Sequence, residues 1–243
     1  MLAALTLLSA LVLATAPAQD PEAPPPPNDH FKPDPAWKAL GQDIWFDPKG
    51  KVLILRARVA LQDGALEHLI CRKGTKEHES VLATEAPARI IHAGLLLTGA
   101  TPGHPVRFQP AFEPPTGTPI AIEVEWLKDG KLQKTEAREW VKDQATGTAL
   151  ARDWVFAGSE LFEDPRTKTM IYAADDGDLV TVANFPASIL DLPFRSSAND
   201  ADRTYLARAD RVPVRGTPVT VYLRPRVAEP AGNAQPAPAA PNR

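Results

Sequence analysis

Reactive side chains are concentrated between residues 71 and 99. This stretch holds the single cysteine of the chain and two of its five histidines. The side chains that could do chemistry are Cys71, His78, Glu79, Ser80 and His92. They offer a thiolate, two imidazoles, a carboxylate and a hydroxyl, which allow three kinds of site.

The first kind is a metal site made of Cys71, His78 and His92, with a glutamate as a further ligand. Thiolate and imidazole ligands suit zinc or copper. The spacing C-x6-H-x13-H, however, matches no standard zinc signature. Metal binding therefore requires that these three residues meet in the fold.

The other two kinds use a nucleophile. Lys73 and its basic neighbours would lower the pKa of an exposed Cys71 thiol, but the end of an apolar strand commonly holds buried, inert cysteines. A Ser80 nucleophile lacks the G-x-S-x-G turn. On one strand, His78 and Ser80 would lie about 7 Å apart, which is too far for a hydrogen bond.

A purely structural role is the alternative for this stretch. His92 shares a helical face with Leu95 and Leu96, so we expect its ring to be buried. A buried imidazole needs a hydrogen-bond partner, and Glu77 or Glu79 could supply one. The cluster would then be an internal polar clamp between helix and sheet.

Most of the elements that position these residues are strands. Alternating and β-branched patterns predict strands at 51–61, 65–71, 77–83, 119–127, 131–141, 169–174, 179–184 and 217–225. Turns at 62–64, 129–130 and 175–178 predict three hairpins. The middle hairpin would set Glu125 opposite Lys134, a favourable cross-strand pair.

One helix is predicted over about residues 85–98. Thr84 can cap it, Pro87 lies in its first turn, and Gly99 falls where it should end. The segment is apolar on nearly all sides, so we expect it to be buried against a sheet. The fold class is α+β, with β-rich antiparallel or mixed sheets and one main buried helix.

Two further features suggest binding. The polar segment 184–203 is longer than most loops, and its candidate ligand-binding residues are Arg195, Ser196, Asn199 and Asp200; a solvated loop is the alternative. Five tryptophans would form a carbohydrate-stacking platform if two were coplanar and exposed. Most of them lie in strand patterns, where core packing is expected.

The chain ends differ in composition from the middle. Residues 1–18 form an apolar run that closes with Ala16-Pro17-Ala18, which predicts a signal peptide and export to the periplasm or beyond. Residues 19–36 and 228–243 are rich in proline and predict disordered tails. The folded domain is expected at 37–227, with 37–145 and 150–227 as two β-rich halves.

Charge and cysteine content exclude several classes of function. A net charge of −3 gives no basic surface for nucleic acid. One cysteine excludes an intramolecular disulfide and an iron–sulfur cluster held by cysteines of one chain. We also expect no stable membrane span after signal cleavage, so partners would be proteins or carbohydrates of the cell envelope.

Several motifs resemble a known family. The Lys76-x-His78-Glu79-Ser80 run, followed by Ile91-His92-Ala93, is similar to the YdjY-like domain family of exported bacterial proteins. The later stretches DWVFAGSELF, DGDLVTVANF and ILDLP resemble its longer, planctomycete-type members. The resemblance implies an exported domain of unknown function, whose polar signature comprises Cys71, His78, Glu79, Ser80 and His92.

The sequence thus leads to two hypotheses of different class. The first is an exported, non-catalytic binding or scaffolding module. The alternative is a metal- or thiol-dependent enzyme centred on Cys71, His78, Glu79 and His92. They differ in geometry, because an enzyme needs these side chains to converge beside an open pocket.

Overall fold

The computed structural model describes residue 29 and residues 31–196 and 205–226. The strands in this part of the chain are β1 (Lys38–Gly41), β2 (Ile44–Asp47), β3 (Val52–Val59), β4 (Gly64–Ala65), β5 (His68–Arg72), β6 (Ser80–Thr84), β7 (Pro119–Lys128) and β8 (Lys131–Glu136). They continue with β9 (Val141–Asp143), β10 (Trp154–Phe156), β11 (Leu161–Glu163), β12 (Met170–Tyr172), β13 (Asp178–Thr181), β14 (Leu190–Asp191), β15 (Tyr205–Ala207) and β16 (Pro218–Pro225). One α-helix, α1 (Ala88–Leu97), and three short 3-10 turns, Glu77–Glu79, Ala137–Trp140 and Ala173–Asp176, complete the described elements.

Eight strands close into a barrel. Their order around it is β3, β16, β7, β10, β14, β13, β5 and β6, and β6 pairs back onto β3. The β5–β6 and β13–β14 pairs are parallel, and the others are antiparallel. The predicted β-rich α+β class is confirmed at this level, but closure into a barrel was not foreseen.

The barrel core is aliphatic and aromatic. Trp154 and Phe156 of β10 are fully buried, and so are Leu53, Val221 and Leu223 of the neighbouring strands. Each such side chain contributes about 1.5–3 kcal/mol by leaving water. Because the structure has no disulfide, this burial provides the main stabilisation.

The tryptophans mostly serve this packing. Trp140 and Trp154 are fully buried, and the Trp154 indole N–H donates to the carbonyl of Thr181 at 2.7 Å. Trp126 meets Trp140 edge to face, with ring planes 63° apart. These three therefore do not offer a coplanar, exposed surface to a sugar.

The β7–β8 hairpin matches its prediction. Asp129 and Gly130 have φ values of 50° and 74°, as a two-residue turn of primed type requires. Glu125 lies opposite Lys134 in the register. Local turn chemistry alone determines this pairing.

The other two predicted hairpins are wrong. The strand after residues 62–64, β5, pairs with β6 and β13 rather than with β3. At 175–178 the chain ends a 3-10 turn at Gly177, with φ 117°, and β12 pairs with β11 rather than with β13. Residues 77–79 are also a 3-10 turn, so the strand predicted at 77–83 begins only at Ser80.

Helix α1 is shorter and less buried than predicted. It begins after Pro87, and it ends in a Schellman arrangement in which Gly99, with φ 88°, and Ala100 donate to the carbonyls of Leu96 and Leu95. One face, which includes Gly94, packs on the barrel; a Cβ at Gly94 would lie 2.4 Å from Leu53 Cδ1. The opposite face is open to solvent, since Leu96 is 47% and Leu97 53% exposed. The helix therefore packs against the sheet as expected, but only one of its faces is buried.

The last described strand, β16, lies beside β3, the first strand of the barrel along the chain. β16 pairs with β3 over six residues, and Trp37 meets Tyr222 edge to face with 6.3 Å between ring centroids. The barrel takes strands from both 37–145 and 150–227. Among the described residues, no helix is long and apolar enough to cross a membrane.

Candidate functional site

Cys71 lies inside the sheet. It is a fully buried residue of β5, opposite Ala83 of β6 and Asp178 of β13. Burial raises the pKa of its thiol above the ordinary value, although hydrogen bonds from Ser80 and the Lys76 backbone oppose this. The sulfur is therefore a neutral thiol shielded from solvent, which does not suit a nucleophile.

His78 and Ser80 do not meet. The His78 side chain is 76% exposed on the 3-10 turn, with its Nε2 3.7 Å from Oε2 of Glu79. Ser80 is fully buried, and its hydroxyl donates to the carbonyl of Leu82 at 3.1 Å. The hydroxyl is thus used in local structure.

His92 has a different partner from the one expected. Its Nδ1 lies 2.8 Å from the hydroxyl of Tyr172, so the prediction of a Glu77 or Glu79 partner was wrong. That hydroxyl donates to the carbonyl of Gly158 at 3.2 Å, so it accepts from an N–H at His92 Nδ1. Burial lowers the pKa of His92, although hydrogen bonding to the Gly158 backbone opposes this, and a neutral ring of this tautomer keeps an acceptor lone pair on Nε2.

A different histidine gathers carboxylates around it. Within the described residues, the group of His, Cys, Asp and Glu side chains close enough to share a metal ion is Glu67, His68 and Glu79. The fold does not add Cys71 or His92 to it. Of the five residues singled out in the sequence, this group retains Glu79, with His78 beside it.

His68 opens β5 and is fully buried. Its Nε2 lies 2.8 Å from Oδ1 of Asp178, which Lys76 Nζ also contacts at 2.8 Å. Burial raises the pKa of Asp178, but the hydrogen bonds of His68 and Lys76 and the charge of Lys76 outweigh it and hold that pKa below the usual value. Phe185 stacks on the His68 ring at 5.5 Å between centroids and an angle of 8°.

The sequence carried a faint signal for His68. Residues 65–71 are an otherwise apolar stretch predicted as a strand, in which Glu67 and His68 are the acidic and basic side chains. A charged pair inside a core strand needs partners within the fold. Those partners, Asp178 and Glu79, are remote or across a turn, so periodicity could not identify them.

A cleft beside α1 surrounds His92. It encloses about 480 Å³ between the helix and the chain that follows β10. Its lining consists of Arg89, His92, Pro102, Gly103, Ala157, Gly158, Ser159, Leu161 and Tyr172. It combines an apolar wall with one cation, one imidazole and two hydroxyls.

Arg89 provides the positive charge of this cleft. Its Nε donates to Oδ2 of Asp175 at 2.9 Å, and its guanidinium lies over the Tyr172 ring at 5.5 Å. In the described part of the chain its terminal nitrogens have no hydrogen-bond partner. They are therefore free to bind an anion at the open side.

The loop predicted as a binding rim is partly buried. Ser196 is 7% exposed; its N–H donates to Asn184 at 2.7 Å and its hydroxyl to the carbonyl of Val182. Arg195 is exposed and lies over the Phe112 ring at 4.0 Å. Asn199 and Asp200 lie outside the described residues.

Asp191 anchors this loop from within. Its Oδ1 accepts from Thr181, Asn184 and the backbone N–H of Leu192, at 3.0, 3.1 and 2.7 Å. Its Oδ2 is buried with no partner among the described residues. Burial raises the pKa of Asp191 to about 7, despite these hydrogen bonds.

A comparison with known protein families confirms the family resemblance seen in the sequence. The family model described as the YdjY domain matches residues 44–224. The chain belongs to the YdjY domain family. The match spans the barrel, α1 and both histidine sites of this YdjY domain, and it assigns no reaction to either. No curated protein and no solved structure matches the chain.

Proposed function

We propose that this YdjY domain is an exported, non-catalytic binding module whose ligand is a small organic anion held in the cleft beside α1. The observation that carries the proposal is the convergence of Arg89, neutral His92 and Tyr172 on one open cavity of about 480 Å³. Cavities of this size with a few convergent polar groups are typical ligand sites.

The polar groups define the class of ligand. Arg89 offers charge-assisted N–H donors, which suit a carboxylate. His92 presents an acceptor at Nε2, because its Nδ1–H is taken by Tyr172. Leu161, which is 57% exposed, provides an apolar wall. A hydroxy acid with an apolar substituent meets all three groups.

The enzyme alternative has less support. A thiol-dependent reaction needs an accessible, ionised Cys71, whereas this residue is fully buried with a raised pKa. His92 and His78 also belong to different sites. Export is the other half of the proposal, and it rests on the apolar run and the Ala16-Pro17-Ala18 motif.

Titration calorimetry with a matched pair of probes tests the cleft. Mandelate carries a carboxylate, a hydroxyl and a phenyl ring, while phenylacetate lacks the hydroxyl. With the chain from Gln19 onward, we expect mandelate to bind several-fold more tightly than phenylacetate, because a lost hydrogen bond costs about 0.5–1.5 kcal/mol. Arg89→Gln should weaken both probes about tenfold.

A matched variant provides the control. Arg107 is also an exposed arginine in an ion pair at 2.9 Å, with Glu113, but it lies outside the cleft. Arg107→Gln should leave the affinity for both probes unchanged. Binding that is insensitive to Arg89→Gln, or no binding of either probe, would contradict the proposed function.

A further inference from the structure

One buried ring nitrogen of His68 lacks a hydrogen-bond partner in the described part of the chain. The ring is fully buried, yet Nδ1 has no hydrogen-bond partner among the described residues. An unsatisfied polar atom in a core costs about 1–3 kcal/mol and calls for a missing partner. Nε2 is already engaged by the Asp178 carboxylate at 2.8 Å, so Nδ1 carries the lone pair.

This arrangement prepares a metal ligand. Metal-binding histidines usually donate their second N–H to a carboxylate, which fixes the tautomer and makes the ligating nitrogen more basic. Asp178 supplies that carboxylate, and Lys76 Nζ donates to the same oxygen, Oδ1, at 2.8 Å. Phe185 fixes the plane of the His68 ring by stacking on it.

Carboxylates converge on the vacant nitrogen. Oε1 of Glu79 lies 4.0 Å from His68 Nδ1, and one oxygen of Glu67 lies within 4.8 Å of both. Two ligands of a tetrahedral zinc ion, at about 2.0–2.2 Å from the metal, are about 3.4 Å apart. Side-chain movements of less than an ångström would therefore bring the three atoms to bonding distance.

The backbone already holds the donors together. The N–H of Glu67 donates to the carbonyl of Glu79 at 3.0 Å, and the N–H of Val182 donates to the carbonyl of Glu67 at 2.8 Å. The chain bends at Glu67, so two consecutive side chains can reach one ion. Because these hydrogen bonds already fix the backbone of the donor residues, little conformational entropy is lost when a metal ion binds.

We propose that Glu67, His68 and Glu79 bind one divalent transition-metal ion of the zinc class. One imidazole and two carboxylates form a donor set that zinc accepts. The exposed His78, whose Nε2 lies 3.7 Å from Oε2 of Glu79, lies outside this group and would have to move to fill the fourth position. Because the core of the site is sealed, the ion is structural and ties the 3-10 turn to the start of β5.

Zinc binding to the chelator-stripped chain from Gln19 onward tests this proposal. Calorimetry should give one zinc ion per chain. At a free zinc concentration of about 100 times Kd, the Tm should rise by about 5–10 °C. Cobalt should bind at the same stoichiometry and give the visible absorption of a low-coordinate ion.

Variants distinguish this site from surface binding. Glu79→Gln should weaken zinc at least about tenfold, since even outer-shell changes cost that much. Its matched control is Glu77→Gln in the same turn, whose side chain accepts the N–H of Gly74 at 2.9 Å and stays outside the group. His68→Gln should abolish binding; because it alters the core, Glu79→Gln is the deciding variant, with circular dichroism as the check of folding.

Three results would overturn the proposal. They are no stoichiometric zinc in the wild type, zinc affinity unchanged by Glu79→Gln, and loss on Glu77→Gln equal to that on Glu79→Gln. Mandelate binding in the cleft is measured separately, so either proposal can fail without the other.

Discussion

His68 is fully buried and His92 is half-buried, and the groups that surround the two rings differ in charge. The His68 ring lies between Asp178 and Glu79, beneath Phe185, and has no exposed surface. The His92 ring has a phenol as partner and lines an open cleft. The ring of His68 is thus flanked by carboxylates in a closed core, whereas the ring of His92 is hydrogen-bonded to a neutral phenol at an open cleft.

The hydrogen-bond partner at one ring nitrogen of a histidine therefore decides what the other nitrogen can bind. A carboxylate hydrogen-bonded to Nε2 makes the lone pair on Nδ1 of His68 a strong ligand for a metal cation. A phenol at Nδ1 of His92, with burial lowering the pKa of the ring, leaves Nε2 as a neutral acceptor. The first suits a metal ion, and the second suits the hydroxyl of a small molecule.

Removing the charge from the sealed site should have the largest effect. Asp178→Ala leaves His68 Nε2 and Lys76 without their shared anion, and the Asp178 side chain is only 6% exposed. Loss of one partner of a buried pair costs about 3–5 kcal/mol. Urea denaturation with chelator present should show this loss in the free energy of unfolding.

The open side provides the contrast for that measurement. Asp175→Ala removes an ion pair with Arg89 whose side chains are 38% and 53% exposed, and it should cost less than about 1 kcal/mol. If Asp178→Ala and Asp175→Ala lowered the free energy of unfolding equally, the two sites would not differ in how strongly burial affects their charges.

The loop that carries Phe185 onto the His68 ring should respond to pH. Asp191 anchors this loop, and its folded pKa of about 7 lies above the ordinary value of 3.8. The protonated form is favoured by folding, so the stabilisation is complete below pH 4 and is lost as the pH rises through 7. From pH 5 to pH 8 the wild type should lose roughly 2–3 kcal/mol through this group.

Asp191→Asn should abolish that pH dependence. The amide keeps an acceptor for Thr181 and Asn184 but cannot ionise. Unfolding free energies of both proteins should therefore differ more at pH 8 than at pH 5, with the advantage of the variant growing by roughly 2–3 kcal/mol between the two pH values. Parallel profiles would show that Asp191 is ionised in the folded protein.

The smallest effect is expected at the open cleft. Tyr172→Phe removes the hydroxyl that bonds His92 Nδ1 and the carbonyl of Gly158, which should cost about 1 kcal/mol. Nitrogen NMR of the imidazole should show the Nδ1–H tautomer in the wild type and a mixture in the variant. An Nε2–H tautomer in the wild type would reverse the acceptor role assigned to His92.

Local rules predicted part of this fold. The β7–β8 hairpin follows from Asp129-Gly130 and from alternation on either side, and Gly99 ends the helix as expected. The pairing of β5 was missed because its neighbours, β6 and β13, join it through barrel closure and a parallel register. Turn residues carry no information about such long-range pairing.

The candidate sites show the same limit. The conspicuous polar run 76–80 predicts Glu79 as a site residue, whereas the apolar stretch around His68 predicts only core packing. Its partner Asp178 is 110 positions away along the chain. Tyr172 is 80 positions from His92, so the phenol that replaced the expected glutamate was equally out of reach.

The side-by-side placement of β3 and β16 means that the covalent order of the strands can be separated from their spatial order. Trp37 and Tyr222 are in contact, so a short peptide could join the two ends of the folded region. A chain joined there and reopened between Asp129 and Gly130 would keep every strand pair of the barrel. Circular permutation is therefore open to this domain, and the new ends would emerge from the tip of a surface hairpin.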